Sequence, residues 1–282
     1  MIARLLPLLL FVATSSSGLA AEPEKLALQH QWEVGKRYHF DTSFEIENTF
    51  NAVNVSTLSI VLKFDAAVTK EAGADRKLVE VTFTDIKVIM NNGGAITSYD
   101  SARPEMSPPA MQKEFGIVIG KGFTWVYDKD DQYVDAIPQP GFTVAGQDAR
   151  GMADALRRDF ELGMPKEGLS VGDAFSVVKD TGSNMFGPIV ARMEGRLDSI
   201  VKHEGRDHAR IVMDGHTVMK DKNGADAPQA GTKNSEDILF DLERKRITRH
   251  LTKAYSNYGG EVGKTERITT LKGVSEVRVA SE

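Results

Sequence analysis

The chain has 282 residues, 41% of them hydrophobic and 27% charged. At about 150 residues per domain this is room for one large domain or two modest ones, and the composition excludes a disordered chain, a collagen and a polytopic membrane protein. A net charge of −5 has the wrong sign for a nucleic-acid partner, and the absence of cysteine excludes disulfides, thiolate catalysis, Cys-ligated metals and lipid attachment through a thiol.

Residues 1–20 divide into a charged start ending at Arg4, an apolar run from Leu5 to Ala13, and small residues from Ser15 to Ala20. This is the layout of a secretory signal. The run is too short to span a bilayer, which takes about 20 apolar residues, and Gly18-Leu19-Ala20 supplies the small residues for cleavage after Ala20 or one residue later. No later stretch reaches transmembrane length. The expected mature protein has no transmembrane segment, carries a charge of −6 once Arg4 is lost, and resides in the bacterial periplasm or outside the cell. The sequon Asn54-Val55-Ser56 matters only in a glycosylating pathway.

From Tyr38 the apolar side chains recur at every second position: Tyr38, Phe40, Phe44, Ile46 and Phe50. Period two predicts a half-buried strand. Leu58, Ile60, Leu62, Phe64, Ala66 and Val68 then share one face, with Ser59, Lys63, Asp65 and Thr69 on the other. A third strand runs from Leu78 to Val88, where parity shifts near Thr84 and predicts a bulge. Phe123 to Tyr127 and Tyr133 to Ile137 flank the turn Asp128-Lys129-Asp130-Asp131 and read as a hairpin. A short helix is predicted from Pro109 to Phe115, and a longer one from Gln147 to Leu162, with Met152, Leu156 and Phe160 at steps of four and Ala155 beside them. Asp148 can cap the start of the longer helix, and Gly163-Met164-Pro165 can end it. Ile189, Ala191, Met193, Leu197 and Val201 predict another one-sided strand, and residues 220–235, without a large apolar side chain, predict a loop.

The second half repeats the first. Phe64-Asp65-Ala66-Ala67-Val68 aligns with Leu197-Asp198-Ser199-Ile200-Val201, Val34-Gly35 with Val171-Gly172, and Tyr127-Asp128 with Phe240-Asp241. Three matches in one order point to an internal duplication, although amphipathic hairpins also resemble one another. The expected organisation is a signal peptide over 1–20, a first β-rich repeat over 21–146, a connecting helix and linker over 147–165, and a second β-rich repeat over 166–282. Helices are too few to cover two separate sheets. The fold class expected is therefore mainly β (α+β), as two tandem antiparallel half-barrel-like repeats with one or two connecting helices. The order Val-Gly-x-x-Tyr/Phe, Asp-turn hairpin, helix, then Met164-Pro165-Lys166-Glu167-Gly168-Leu169-Ser170-Val171-Gly172-Asp173 resembles a secreted bacterial family of unknown function with a duplicated β-rich domain. That resemblance spans about residues 30 to 272 and implies address and β-rich fold, with no activity.

Four patterns invite a chemical reading. Gly168-Leu169-Ser170-Val171-Gly172 matches the G-x-S-x-G of serine hydrolases, but it lacks the strand before and the helix after that lift the serine into reach. His203, His208 and His216 lie near Asp207 and Asp214, and His203 and His208 can approach across a hairpin. Their spacing matches no metal-ligand pattern, and the equivalent turn, Lys70 to Lys77, carries only the charges of a solvated tip. Asp128 to Tyr133 has calcium-like oxygens at its first and third positions, with tyrosine where glycine is needed at the sixth. Gly116 to Gly122 misses the phosphate loop by one spacer and lacks a hydroxyl after Lys121. No catalytic, cofactor or metal residue is assigned.

Phe123, Trp125 and Tyr127 share one strand face, with Tyr133 across the turn. Such residues line apolar pockets and equally stabilise sheets. The expected function is non-catalytic binding of an amphiphilic or lipid-like ligand in the cell envelope, with Trp125, Tyr127, Tyr133, Met152, Leu156 and Phe160 as candidate ligand-binding residues. The expected partner is an apolar small molecule or an envelope protein. A structural or adaptor protein of the envelope and a hydrolase with an unrecognised site are the alternatives.

Overall fold

The computed structural model describes residues 25–51, 53–142, 149–158, 161–184, 187–219, 232–262 and 265–281. The signal reading over 1–20 lies outside them, as does the Asp148 cap. Among the described residues, twelve strands and two α-helices follow one another as β1 (Arg37–Phe50), β2 (Val53–Lys70), β3 (Arg76–Asn92), β4 (Ala95–Asp100), α1 (Pro109–Phe115), β5 (Gly122–Asp128), β6 (Tyr133–Pro138), α2 (Ala149–Arg157), β7 (Ala174–Asn184), β8 (Gly187–His203), β9 (Arg206–Met219), β10 (Thr232–Asp241), β11 (Arg246–Val262) and β12 (Thr265–Ser281).

All strands join one antiparallel sheet in the order β6-β5-β3-β2-β1-β12-β11-β10-β9-β8-β7, with β4 on β3. The mainly β class expected from sequence is the class observed, and the two halves are parts of one continuous sheet because β12 pairs with both β1 and β11. Each half is a meander whose strands step across the sheet in the same direction.

Cross-strand partners show that the core lies on a single face. Phe64 opposes Phe40, and Phe40 opposes Val279. Two residues along β12, Val277 opposes His250; His250 opposes Ile238, Ile238 opposes Ile211, and Ile211 opposes Leu197. Directly opposed residues of an antiparallel pair share a face, so this series carries one inner face from end to end. Phe64, Leu197, Ile211 and Ile238 are fully buried on it.

Packing on that face divides into two clusters. In the first, Phe40 and Phe64 stack at 4.5 Å, Phe83 stacks on Phe142 at 5.5 Å, and Trp125 and Trp32 lie 6.1 Å apart. Leu197, Ile211, Phe240 and Ile247 form the second. The segment before β1 joins them, placing Leu28 in one cluster and Trp32 in the other.

The sheet curls. β7 and β10 are separated by β8 and β9, about 14 Å in a flat sheet at roughly 4.8 Å per strand, and the register carries Lys179 through Ala191 and Thr217 to Thr232, four residues from Glu236, yet the Lys179 ammonium reaches the Glu236 carboxylate at 3.0 Å. Gly215 allows β8 to come close: a Cβ there would sit 2.1 Å from the Arg192 carbonyl oxygen.

The bulge expected near Thr84 is present, since Lys63 opposes Asp85 while Phe64 opposes Phe83. A second bulge at Asp198 shifts the register of β8, so Val201 leaves the row that holds Leu197. The loop expected over 220–235 is corrected at its end: Thr232 to Ser235 belong to β10, where hydrogen bonds to β9 and β11 on both sides override their low apolar content. The rest of that stretch, 220–231, lies outside the described residues. The Pro109–Phe115 helix is found with the expected bounds. The longer helix ends at Arg157, short of Leu162.

Candidate functional site

The aromatic residues singled out in sequence occupy the interior of the first half. Trp125 is fully buried, and its Nε1–H donates to the Ala153 carbonyl at 3.0 Å. That contact explains the orientation of α2. Its buried residues are Ala149 and Ala153, whose small side chains let the helix backbone approach the indole, while Ala155 is exposed. Met152 and Leu156 are half-buried against the same core. Tyr127 is buried. The Tyr133 hydroxyl donates to Asp154 at 2.8 Å, and the Arg157 guanidinium lies 3.9 Å above its ring. Phe160 lies outside the described residues.

Beyond this packed region the long strands continue, and the inner face changes character. On β1 to β3, Phe44 opposes Ile60, Ile46 opposes Leu58, and Leu58 opposes Met90. All five are half-buried, an apolar surface that the described residues cover only in part. The opposite half is polar at the same level. The Asn234 amide donates to Thr217 Oγ1 at 2.6 Å, and Thr232 and Ser256 share a hydrogen bond at 2.5 Å.

On the polar half, two residues along β10 from Asn234, lies a buried charged group. Glu236 takes Lys179 at 3.0 Å and His250 Nε2 at 3.2 Å, and His250 also meets Thr252 Oγ1 at 3.1 Å. Burial alone would raise the Glu236 pKa, but the hydrogen bond with His250 and the Lys179 charge outweigh it and hold the carboxyl at about 2. An ionised carboxylate is therefore fixed on the inner face of the second half, with β11 and β12 between its strand and the apolar surface.

The sequence patterns have structural roles. Gly168 adopts φ +77°, and a Cβ there would lie 2.8 Å from the Leu26 carbonyl oxygen. Leu169 bridges to Leu26, and the Ser170 N–H donates to Asp173 at 2.8 Å. This is a turn leading into β7, with Ser170 only 3% exposed. Asp128 Oδ1 accepts the backbone N–H groups of Asp130 and Gln132 and so closes its own hairpin. The His203 and His208 rings meet at 5.2 Å. His208 is fully buried, with Nδ1 3.2 Å from the Arg206 carbonyl oxygen. Among the described residues no group of three or more His, Asp or Glu side chains is placed to hold a metal ion.

No protein-family model matches the chain, and no curated protein matches it. Among solved structures, one described as lipid-protein interactions in lipovitellin aligns with a TM-score of 0.55 and 8% identity, covering 89% of this chain and 26% of the other. This chain thus spans about a quarter of that one, and the likeness is one of fold. An outer membrane channel from Pseudomonas putida F1 aligns with a TM-score of 0.20 at 8% identity, over 89% of this chain and 97% of that one. MucB in complex with MucA(peri) aligns with a TM-score of 0.13 at 8% identity, over 83% and 88%. Neither of the last two carries an argument.

Proposed function

We propose that this is a non-catalytic binding protein of the cell envelope that holds an amphiphilic, lipid-like molecule on the inner face of its curled sheet. One observation carries the reading: Phe44, Ile46, Leu58, Ile60 and Met90 form a continuous half-buried apolar surface beside the polar groups of β9 to β11. An acyl chain laid on the first half removes that surface from water, worth about 25 cal/mol per Å² of apolar area, while its polar end meets hydroxyl and amide groups. Lipovitellin, whose structure is described by its lipid interactions, provides support through a shared fold. The signal-like residues 1–20 support the envelope address, and among the described residues no helix is long and apolar enough to cross a membrane. The common strand order of the two halves supports the duplication and, with it, the likeness to the secreted family.

The test is native mass spectrometry of protein purified gently from its own host, followed by organic extraction of any bound mass. A bound amphiphile is the expected result. Protein without adduct that also fails to take up a fluorescent fatty acid would defeat the carrier reading and favour an envelope adaptor.

A further inference from the structure

A cleft of about 800 Å³ opens on the opposite side of the sheet from the core. Asp41 opposes both Lys63 and Arg278 there, and Arg278 opposes Arg249, all at positions alternating with the core residues. The tip of the β8–β9 hairpin adds His203 and Glu204, and the β10–β11 turn adds Arg244. A cleft of this size suits a small molecule.

Six permanent cations line it, Lys63, Arg206, Arg244, Arg246, Arg249 and Arg278, against the carboxylates of Asp41, Asp65 and Glu204. In a chain of net charge −5 that is a local inversion of sign. Some of these charges are fixed in the walls. Arg206 donates to buried Asp241 at 2.8 Å. Glu276 accepts from Arg249 at 2.7 Å and from Arg278 at 3.0 Å, so one carboxylate serves two guanidiniums. Asp65 is held by His39 at 2.7 Å and Arg37 at 3.2 Å.

Arg246 is different. It is 3% exposed and rests 5.2 Å from the Tyr38 ring. Its Nε has no hydrogen-bond partner, and among the described residues no carboxylate lies within ion-pair distance of it or of Arg244. A buried guanidinium is costly unless a counter-charge and full hydrogen bonding compensate it. Burial first, and then the Arg244 charge, push the Arg246 pKa down, and the Asp241 charge and the hydrogen bond with the Tyr38 hydroxyl offset this only in part. Arg246, whose Nε lacks a partner, and Arg244, which no carboxylate approaches among the described residues, bring to this cleft the kind of donors that recognise a phosphate.

We propose that this cleft binds a phosphate ester, with Arg246 and Arg244 as its principal ligands and the tethered Arg249 and Arg278 as a preorganised wall. The site is separate from the apolar inner face and stands or falls without it.

The test is isothermal titration of the purified protein with glycerol phosphate and with inorganic phosphate at constant ionic strength. In parallel, co-sedimentation with phosphatidylglycerol vesicles is compared with phosphatidylcholine vesicles. Saturable binding that weakens at least tenfold in Arg246→Gln and in Arg244→Gln, and is unchanged in Lys202→Gln, supports the site. The half-exposed Arg244 covers the case in which the Arg246 variant fails to fold. Binding of glycerol phosphate identifies a soluble ester as the ligand source, and binding of phosphatidylglycerol vesicles alone identifies a lipid headgroup. Failure of all these probes to bind, or binding unaltered in Arg244→Gln, overturns the proposal. Fatty-acid uptake in Arg244→Gln should match the wild type, which separates this site from the inner face.

Discussion

Replacing Glu236 with leucine removes the carboxylate that Lys179 reaches across the curl of the sheet and leaves an ammonium only 13% exposed without its partner. Removing one member of a buried pair typically costs about 3–5 kcal/mol. The carboxyl itself gives a consistent figure: the difference between its ordinary pKa of 4.5 and its folded value of about 2 corresponds to about 3 kcal/mol at 1.36 kcal/mol per unit. Because the folded value is the lower one, this stability is complete above pH 4.5 and lost as the pH falls towards 2. Urea unfolding followed by circular dichroism at pH 7 should place Glu236→Leu about 3 kcal/mol below the wild type, a fall of about 6–12 °C in thermal midpoint for a domain of this size. The double variant Lys179→Met/Glu236→Leu should recover most of that loss, since apolar replacement of a whole buried pair is often neutral or stabilising. A single variant within 0.5 kcal/mol of the wild type would refute the buried pair as a stabilising contact.

Three further outcomes follow from the packing. Gly215→Ala should destabilise by about 1–3 kcal/mol or more, because the new methyl meets the backbone oxygen of Arg192 at 2.1 Å; an unchanged melting curve would contradict that close approach of β8. His30 is held at a pKa of about 3 by burial and then by the Arg246 charge, against an ordinary 6.5. Its contribution is therefore complete above pH 6.5 and falls by about 1.4 kcal/mol per unit below it, so His30→Gln should flatten stability between pH 6 and 4, and an unaltered acid limb would contradict its burial as a neutral ring. In the wild type, unfolding followed by tryptophan fluorescence and by circular dichroism should coincide, because Leu28 and Trp32 tie both clusters together and β12 pairs with both halves; separate midpoints would show two independent units.

Where one face of a strand is dry, the sequence is easily read. The alternation through β1 and β2 and the parity break at Thr84 each follow from apolar side chains needing one side of a pleat. The second half is less legible because its inner face is partly polar. Glu236 and His250 occupy inward positions that would read as outward-facing, and Thr232 to Ser235 become a strand through neighbours distant in the chain. The stripe on α2 is legible only in part: Met152 and Leu156 do pack half-buried against the core, but Trp125 takes a backbone acceptor, so the closest approach falls to Ala149 and Ala153. The arginine cleft gathers residues from Lys63 to Arg278 out of different strands and turns, and no spacing in the sequence announces it.

If the half-buried surface on β1 to β3 holds an acyl chain, strand parity separates it from the outer face of the same sheet. Ile46 lies on that inner surface, whereas Ile89 of β3 faces the other way and is 50% exposed. Titration of a fluorescent fatty acid into the wild type, Ile46→Glu and Ile89→Glu, each shown to be folded by its melting curve, compares the two faces within one sheet. Saturable uptake by the wild type and Ile89→Glu, with at least a tenfold loss in Ile46→Glu, is the predicted result; equal uptake by all three, or none by the wild type, would contradict it.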